Sequence, residues 1–279
     1  MTSAKEVAYW VNERESIREA HDAGIPRPWT NDKIFQKYRF CNVRREDDKV
    51  TRWIKKYWRD PNSGHPNMVM AMLLARMVNW PPTLEHIGFP KVWKPAEIVK
   101  RIHEMEGKAW SAAYIVSTCG ERMDKAAYVV RTVGQVQGRV GYSPRTGDTL
   151  AAVWTRLCAL KGLAAGFIAA QVIADLKYEL ASPLVEAEDW WTWAVPGPGS
   201  RRGLNRFHGR PKDTPWSLKD WQLGLALMID EVSPLVVGGG RIHAQDWQNV
   251  MCEYDKYQRV KLGEGVPRKG YTPETAYEV

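Results

Sequence analysis

The chain has 279 residues, a length that suits one large domain or two closely packed ones with a sizeable core, so that no disulfide or metal is needed for stability. The four cysteines, Cys41, Cys119, Cys158 and Cys252, form no C-x-x-C pair, and the histidines are not clustered. These patterns argue against a disulfide framework and a zinc site, and they favour a reducing cytoplasm. A net charge of +8, 14 tryptophans and 11 tyrosines favour a polyanionic partner whose bases stack on aromatic rings, while a membrane partner is disfavoured because no apolar run approaches roughly 18 residues.

Elements in the first half of the chain are predicted from the helical spacing of apolar residues and from proline and glycine stops. The N-terminal residues lack the basic start and apolar run of a secretory signal, which fits a cytoplasmic protein. Five helices are predicted, over residues 3–23, 47–58, 66–79, 95–106 and 124–136. Strand-like patterns are short and confined to residues 109–116 and 235–237. The sequence therefore predicts a mainly α fold with little β structure.

Domain organisation is predicted from the absence of internal repeats, low-complexity tracts and long flexible linkers. We expect one compact helical catalytic domain over residues 1–279. Within it we expect an N-terminal part of about 1–145, a hairpin and C-terminal part of about 146–262, and a loosely ordered tail over 263–279.

An arginine-rich stretch precedes the second predicted helix. It contains Arg39, Asn42, Arg44 and Arg45, directly ahead of the acidic residues 46–48. Such a cluster is suited to gripping a backbone phosphate or another anionic group. The alternative is an ordinary helix start, in which Asp47 and Asp48 favour the helix dipole and the arginines pair with them.

Residues 149–179 are predicted to form two apolar helices around a turn of small residues. Gly162 and Gly166 lie in that turn, where small residues let the backbone come close to a partner. The free N–H groups at the start of the second helix suit a phosphate, as in a helix-hairpin-helix that holds a DNA strand. The alternative is a plain αα-hairpin whose glycines only allow close packing.

A glycine- and arginine-rich stretch follows at residues 197–206, where we expect a loop with exposed N–H groups. It contains Gly197, Gly199, Ser200, Arg201, Arg202 and Arg206. Main-chain donors, a hydroxyl and guanidinium groups match phosphate oxygens well. The G-x-x-x-x-G-K-[ST] pattern occurs nowhere in the sequence, which disfavours a P-loop kinase. The alternative is a Gly/Pro connector with incidental arginines.

The last predicted helix spans residues 243–260 and has a polar edge beside its apolar stripe. That edge consists of Asp246, Asn249, Glu253 and Lys256. Two carboxylates, an amide and an ammonium beside an apolar stripe are consistent with a catalytic or binding site. The alternative is a solvated Glu253–Lys256 pair, with Asp246 favoured by the helix dipole.

Four stretches together resemble a known family. They are residues 39–45 (RFCNVRR), 169–178 (AAQVIADLKY), 197–205 (GPGSRRGLN) and 248–257 (QNVMCEYDKY). The chain resembles the phage α-glutamyl/putrescinyl thymine pyrophosphorylases, or amino acid:DNA transferases, which are related to the helical domain of 5-hydroxymethyluracil DNA kinases. The resemblance implies a helix-hairpin-helix, DNA-glycosylase-like fold. The sequence departs from the pattern of such a fold at residues 162–166, where alanines and a shifted glycine spacing replace a G-x-G hairpin.

The resemblance also implies a reaction and its partners. An amine displaces pyrophosphate from the methylene carbon of activated 5-hydroxymethyluracil in DNA. The expected partners are double-stranded DNA carrying the activated base, an amino acid or polyamine co-substrate, and the phage 5-hydroxymethyluracil DNA kinase. No cofactor and no metal are expected.

Residue roles follow from this chemistry. A base inside a duplex has to be flipped out, and Trp190, Trp191 and Trp193 are candidates for stacking on it. Candidate catalytic carboxylates are Asp189, Asp246 and Glu253. Candidate pyrophosphate ligands are Gly199, Ser200, Arg201, Arg202, Arg39, Arg45 and Lys256. Candidate base or DNA contacts are Asn42, Asn249, Trp190, Trp191, Gly162 and Gly166.

Several alternatives stay open at this point. The same fold with Asp189 activating a water describes a DNA glycosylase that acts on a modified pyrimidine. A non-catalytic DNA-binding module that recruits a kinase is a second alternative. Cys252 is either a nucleophile or a packing residue, and the sequence does not identify the amine.

Overall fold

The computed structural model describes residues 3–111, 116–118, 120–238 and 240–267, and its regular structure is helical. Within these ranges the chain forms α1 (Ser3–Asp22), α2 (Lys33–Lys37), α3 (Lys49–Ile54), α4 (Met68–Val78), α5 (Pro81–Ile87), α6 (Pro95–His103), α7 (Lys125–Gly134), α8 (Leu150–Cys158), α9 (Phe167–Leu176), α10 (Pro198–Phe207), α11 (Leu218–Val232) and α12 (Ala244–Lys261). The prediction of a mainly α fold is confirmed.

The helices predicted from apolar spacing are all present, with ends that differ by a few residues. The second one changes character, since α3 continues into a π-helical turn over Lys55–Arg59. The hairpin of residues 149–179 is confirmed as α8 and α9. Four helices were not predicted, namely α2, α5, α10 and α11. Two of them begin with prolines, which are typical of connectors but are also favoured in the first turn of a helix.

The two strand predictions are not supported where the structure describes them. Residues 235–237 begin at the end of a 3₁₀ turn, Ser233–Leu235, and no strand follows. Residues 109–116 include 112–115, which lie outside the described residues. Most of the predicted tail, from residue 268 onward, also lies outside them. None of the helices in the described part of the chain is both long and apolar enough to cross a membrane.

The chain divides into two compact units. Unit 1 comprises Met1–Asp48 and Trp191–Val279, and unit 2 comprises Lys49–Trp190. These limits fall at residues 48 and 190, not near residue 145. The expectation of one catalytic domain over residues 1–279 stays a prediction.

Unit 1 has a core of aromatic and branched side chains from α1, α10, α11 and α12. Its largest buried residues are Trp10 on α1, Trp221 on α11 and Trp247 on α12. Phe35 on the short α2 extends this core and lies 5.0 Å from Phe40 between ring centroids. Burial of such large apolar surfaces is the main stabilising contribution in a unit of this size.

Unit 2 is built around α4, in which every residue from Met68 to Val78 is buried. A helix that is apolar on all sides is suited to a central position, and α4 packs against α7 and α9. The single charged residue of α4, Arg76, is 1% exposed and donates from Nε to Asp175 of α9 at 2.6 Å. The same guanidinium donates to the Thr51 hydroxyl of α3 at 3.1 Å. This buried ion pair therefore ties three helices together.

We predict that Asp175→Asn destabilises the protein by about 3–5 kcal/mol, because it leaves the Arg76 charge buried without a counter-ion. Urea unfolding followed by circular dichroism measures the change. Lys100→Ala is the control, since the Lys100 side chain is 76% exposed and its ion pair with Glu104 spans 3.7 Å. Equal free energies of unfolding for Asp175→Asn and Lys100→Ala would contradict this assignment.

Candidate functional site

The two carboxylates of the polar edge of α12 are buried, whereas Asn249 and Lys256 are half-buried. Asp246 and Glu253 are 5% and 8% exposed. They lie beside the buried apolar stripe of α12, which includes Trp247, Val250 and Met251. The Glu253–Lys256 pair is present at 2.9 Å. A solvated pair on a surface helix, one of the two sequence interpretations, is therefore wrong because Glu253 is shielded from water.

Each residue of this edge binds a main-chain group of residues 39–45, which we call the arginine segment. The Lys256 ammonium donates to the Arg39 carbonyl, the Glu253 carboxylate accepts from the Cys41 N–H at 3.0 Å, the Asn249 amide donates to the Asn42 carbonyl at 3.2 Å, and the Asp246 carboxylate accepts from the Arg45 N–H at 3.1 Å. The segment therefore runs antiparallel to α12, with one side-chain bond for nearly every turn of the helix.

These bonds give the predicted catalytic and ligand residues of α12 a positioning role. An extended segment needs partners for its main-chain groups when they leave water, and the four side chains supply them. Carboxylates that accept a main-chain N–H are held in one orientation. The catalytic roles of Asp246 and Glu253, the base contact of Asn249 and the pyrophosphate contact of Lys256 stay predictions.

Arg14 of α1 supports the arginine segment from a second direction. Its guanidinium donates from Nε to the Cys41 carbonyl at 3.1 Å and from a terminal nitrogen to the Asn42 side-chain oxygen. Asn42 in turn donates from its amide to the Asp47 carbonyl at 2.7 Å. Burial lowers the pKa of Arg14. Both ends of the Asn42 side chain are therefore bound within unit 1, and its predicted base contact stays a prediction.

Asp48 is a carboxylate of this cluster with a raised pKa. One of its oxygens accepts from the Asn42 N–H at 3.0 Å. Burial raises the pKa of Asp48 to about 6, and the Asn42 N–H together with the Arg14 and Arg45 guanidinium groups opposes that shift. A carboxyl group that titrates near neutral pH among cations is typical of acid–base sites.

The arginines of the segment differ in exposure. The Arg39 side chain is exposed. Arg44 pairs with Glu15 of α1 at 3.3 Å and donates to the Gly240 carbonyl at 3.2 Å. Arg45 is half-buried. Arg39 is therefore the exposed guanidinium of the arginine segment, whereas Arg44 and Arg45 are half-buried.

The predicted phosphate loop at residues 197–206 is wrong as a loop, because Gly197 is the N-cap of α10 and residues 198–206 are all but the last residue of that helix. The Ser200 hydroxyl is fully buried, accepts from the Gly197 N–H at 2.9 Å and donates to the Gly197 carbonyl at 3.1 Å. Pro198 occupies the first turn, where its missing N–H does no harm. Ser200 therefore closes a helix terminus in the way a capping residue does.

Gly199 and Gly203 lie one turn apart on the face of α10 that packs against α12. A Cβ atom on Gly203 would lie 2.0 Å from the Met251 carbonyl oxygen, and one on Gly199 would lie 2.4 Å from the Cys252 Sγ. These glycines therefore allow two helices to approach closely. Packing against α12 is enough to account for Gly199, and its contact with pyrophosphate stays a prediction.

The three arginines of α10 divide into two groups. Arg202 and Arg206 bind the two oxygens of Asp255 at 2.8 and 2.9 Å, and Asp255 is 1% exposed. Arg206 also pairs with Glu264. Arg201 is exposed. Of the α10 arginines predicted to bind pyrophosphate, Arg201 is thus the one that faces solvent, whereas Arg202 balances a buried carboxylate.

Trp191 lies at the start of α12 with a stacked partner. The His243 ring is parallel to it, at 4.2 Å between centroids and 6° between planes, and the Arg241 guanidinium lies 4.6 Å from its centroid. The Trp191 carbonyl accepts from the Ala244 N–H at 3.0 Å. Trp191 is 36% exposed, whereas Trp193 is 5% exposed and belongs to the interior. Stacking of a base on Trp191 stays a prediction.

The predicted residues in unit 2 have local structural partners. The Asp189 carboxylate accepts from the Leu150 and Ala151 N–H groups at 2.7 and 3.0 Å and thereby caps α8. The Trp190 indole donates to the Lys177 carbonyl at 3.1 Å, and the Lys177 ammonium lies 4.6 Å from its ring centroid. Their catalytic and base-stacking roles stay predictions.

The hairpin glycines come close to aromatic side chains of their own unit. A Cβ atom on Gly162 would lie 2.6 Å from the Tyr128 hydroxyl, and one on Gly166 would lie 2.7 Å from the Trp154 ring. Both have positive φ angles, +93° and +74°, which favour glycine. This geometry accounts for both glycines by packing, and their contact with DNA stays a prediction.

Cys252 fits the packing alternative. Burial raises the pKa of its thiol to about 12, so the nucleophilic thiolate is scarce at neutral pH. Among the described residues no group of three or more His, Cys, Asp or Glu side chains is placed to hold a metal ion.

A family model described as the helical domain of 5-hmdU DNA kinase matches residues 2–266. The chain belongs to this family. Its 5-hmdU DNA kinase helical-domain assignment links the chain to phage-type modification of hydroxymethyluracil in DNA. No curated protein and no solved structure matches the chain significantly. The narrower resemblance to the thymine pyrophosphorylases stays a prediction.

Two residues of the cluster, Arg14 and Asp48, cannot be recognised as site candidates from the sequence alone. Arg14 lies between two glutamates of α1, a pattern typical of a solvated helix face. Asp48 was interpreted only as a favourable charge at a helix start. The arginines at positions 39, 44 and 45 were the available signal, since a clustered set of cations implies nearby anionic partners.

We predict that Gly203→Ala destabilises the protein by about 1–3 kcal/mol, because the added methyl group forces α10 away from the Met251 carbonyl. Thermal and urea unfolding measure the loss. Gly134→Ala in α7 is the control, because its Cβ would lie 3.5 Å from Trp93 and alanine is the better helix former. A Gly203→Ala protein as stable as the Gly134→Ala protein would show that the helices do not approach this closely.

We also predict that Asp48→Asn flattens the pH dependence of stability. A carboxyl pKa raised to about 6 in the folded state makes that state bind the proton more tightly than the unfolded chain does. The stabilising contribution is therefore present below about pH 4 and lost as pH rises to about 6. Urea unfolding at intervals between pH 4 and 7 measures the slope. An unchanged slope in Asp48→Asn, with Asp47→Asn as the neighbouring control, would contradict the raised pKa.

Proposed function

We propose that the chain transfers an amine or amino acid onto the methylene carbon of pyrophosphorylated 5-hydroxymethyluracil in DNA. The amine nitrogen forms a bond to that carbon, the carbon–oxygen bond to pyrophosphate breaks, and pyrophosphate leaves with the electron pair. The amine proton passes to a base on the protein. Membership of the 5-hmdU DNA kinase helical-domain family supports the DNA substrate, and the resemblance of residues 39–45, 197–205 and 248–257 supports the transfer.

The observation that carries the proposal is the Asp48 carboxyl group, held at a pKa of about 6 beside the arginine segment. A base of this pKa accepts a proton from an ammonium or amine more readily than an ordinary carboxylate does. Cations nearby are suited to the negative charge that develops on departing pyrophosphate, and Arg39 offers an exposed guanidinium.

In this mechanism α12 keeps the reacting groups in place. Glu253 and Asp246 hold the N–H groups of Cys41 and Arg45, so they fix the main chain from which Arg39 and Arg45 project. A shift of about 1 Å in such a support is enough to lower a rate substantially. Glu253 is therefore proposed as a positioning residue, with Asp48 as the base.

The contacts of the α12 edge are also consistent with a second candidate function, a DNA-binding module without catalysis. All four polar residues of the α12 edge are bound to the main chain of the arginine segment. A binding module needs such a support as much as an enzyme does. The two functions differ in whether DNA recovered from the reaction carries a new amine.

The decisive experiment incubates the full chain with DNA containing pyrophosphorylated 5-hydroxymethyluracil and a panel of amines and amino acids. Nucleosides from digested DNA are analysed by mass spectrometry. We predict an amine adduct with at least one member of the panel, and a rate lowered about 10²–10⁴-fold in Asp48→Asn. Asp47→Asn is the matched control, since that carboxylate lies 3.6 Å from Arg18 in a peripheral ion pair.

Each outcome assigns the function. Absence of an adduct with every amine, in protein that still binds the DNA, would refute the transferase and support the binding module. Abasic sites in place of an adduct would indicate a glycosylase. An adduct formed at the same rate by Asp48→Asn and wild type would remove Asp48 from the chemistry and return Glu253 and Asp246 as candidate bases.

A further inference from the structure

The most concentrated positive charge of the sequence lies at the start of unit 2, outside the candidate site. Residues 49–59 contain Lys49, Arg52, Lys55, Lys56 and Arg59, and no acidic residue lies between them. This stretch forms α3 and the π-helical turn that continues it. Five cations in eleven residues are a large share of a net charge of +8.

The cations of this stretch lie mainly on its outer face. Arg52, Lys55 and Lys56 are exposed, whereas Trp53, Ile54 and Trp58 are buried. Trp53 and Trp58 lie 6.4 Å apart between ring centroids, and Trp58 lies 5.9 Å from Phe89. The inner face is therefore fixed in the core of unit 2, so the basic face is presented by a rigid element.

The π-helical turn adds an exposed aromatic ring to this face. The Asp60 N–H donates to the Lys55 carbonyl, five residues back, and the consecutive residues Lys55, Lys56 and Tyr57 are all exposed. Tyr57 is 45% exposed, and the Lys56 ammonium lies 4.9 Å from its ring centroid. Turns of this kind occur often at functional sites, because they interrupt the regular helix and re-aim side chains.

We infer that the basic face of residues 49–57 binds the phosphate backbone of DNA, with Tyr57 as a stacking surface beside it. This inference rests on the part of the proposed function that makes DNA the substrate, and it does not depend on the transfer chemistry. Clustered exposed cations are suited to neutralising the phosphates of a DNA strand, and an exposed ring beside them suits an unpaired base.

This face fits DNA better than the turn glycines of the α8–α9 hairpin do. Gly162 and Gly166 approach Tyr128 and Trp154, so their close contacts are made within the protein. The hairpin turn carries a single cation, Lys161. Affinity for a polyanion follows the number of phosphates neutralised, which favours residues 49–57.

The test measures binding of the full chain to a fluorescent DNA duplex by anisotropy, over a series of salt concentrations. The variant Arg52→Ala/Lys55→Ala/Lys56→Ala removes three exposed cations. The expected result is an affinity at low salt reduced by about tenfold or more, with a slope of log affinity against log salt smaller by about one for each cation removed.

The matched control is Lys91→Ala/Lys94→Ala/Lys100→Ala, which removes the same charge from exposed positions at and before α6 in the same unit. We expect this control to bind DNA within about twofold of wild type with an unchanged salt slope. Circular dichroism of both variants verifies that the helices are retained. Tyr57→Ala is compared with Tyr57→Phe on a duplex containing a mismatched base, where loss of the ring is expected to weaken binding and loss of the hydroxyl is not.

Equal binding by the two triple variants, or a salt slope that does not change in the first, would overturn the inference. So would a wild-type chain that binds no DNA. Because the readout is binding, these results are distinct from failure of the proposed transfer. A chain that loses DNA affinity in the Arg52/Lys55/Lys56 variant but forms no adduct would support this surface and refute the transferase.

Discussion

The arrangement of unit 1 depends on a helix whose side chains bind the main chain of an extended segment. In a sheet, the main-chain groups of residues 39–45 would be bound by a neighbouring strand. Here Lys256, Glu253, Asn249 and Asp246 act in place of that strand, at intervals of three or four residues along α12. Because these bonds are charge-assisted at three of the four positions, each is stronger than a bond between neutral groups. The cations of the segment are thereby held in fixed positions, although among them only Arg45 belongs to a regular element, the 3₁₀ turn Arg45–Asp47.

Charge in this protein has two separate uses. Some arginines balance buried carboxylates, as Arg76 does for Asp175 and Arg202 does for Asp255. Others, including Arg39 and Arg201, face solvent. The distinction matters because removing the first kind destabilises the protein, whereas removing the second changes affinity for anions. A positive net charge therefore predicts anion binding only when the cations that pair with buried carboxylates are distinguished from those that face solvent.

Helices with a continuous apolar stripe could be predicted from the sequence, because that stripe has to face a core. α10 could not, since its glycines and prolines are typical of a loop and their suitability for a helix depends on close contact with α12. The polar edge of α12 was recognisable as unusual. Its partners lie about two hundred residues earlier in the chain, so no local pattern reveals them. The raised pKa of Asp48 is equally non-local, because burial by the folded chain is its main cause.

The discontinuity of unit 1 has a consequence for how the protein is made. Its first part ends at Asp48 and its second begins at Trp191, with the whole of unit 2 between them. During synthesis, Trp10 and the other apolar residues of α1 leave the ribosome long before α11 and α12 exist to cover them. Unit 2 is contiguous and has all of its residues by position 190. The arginine segment therefore acquires its side-chain partners only after α12 has been synthesised, about two hundred residues later in the chain.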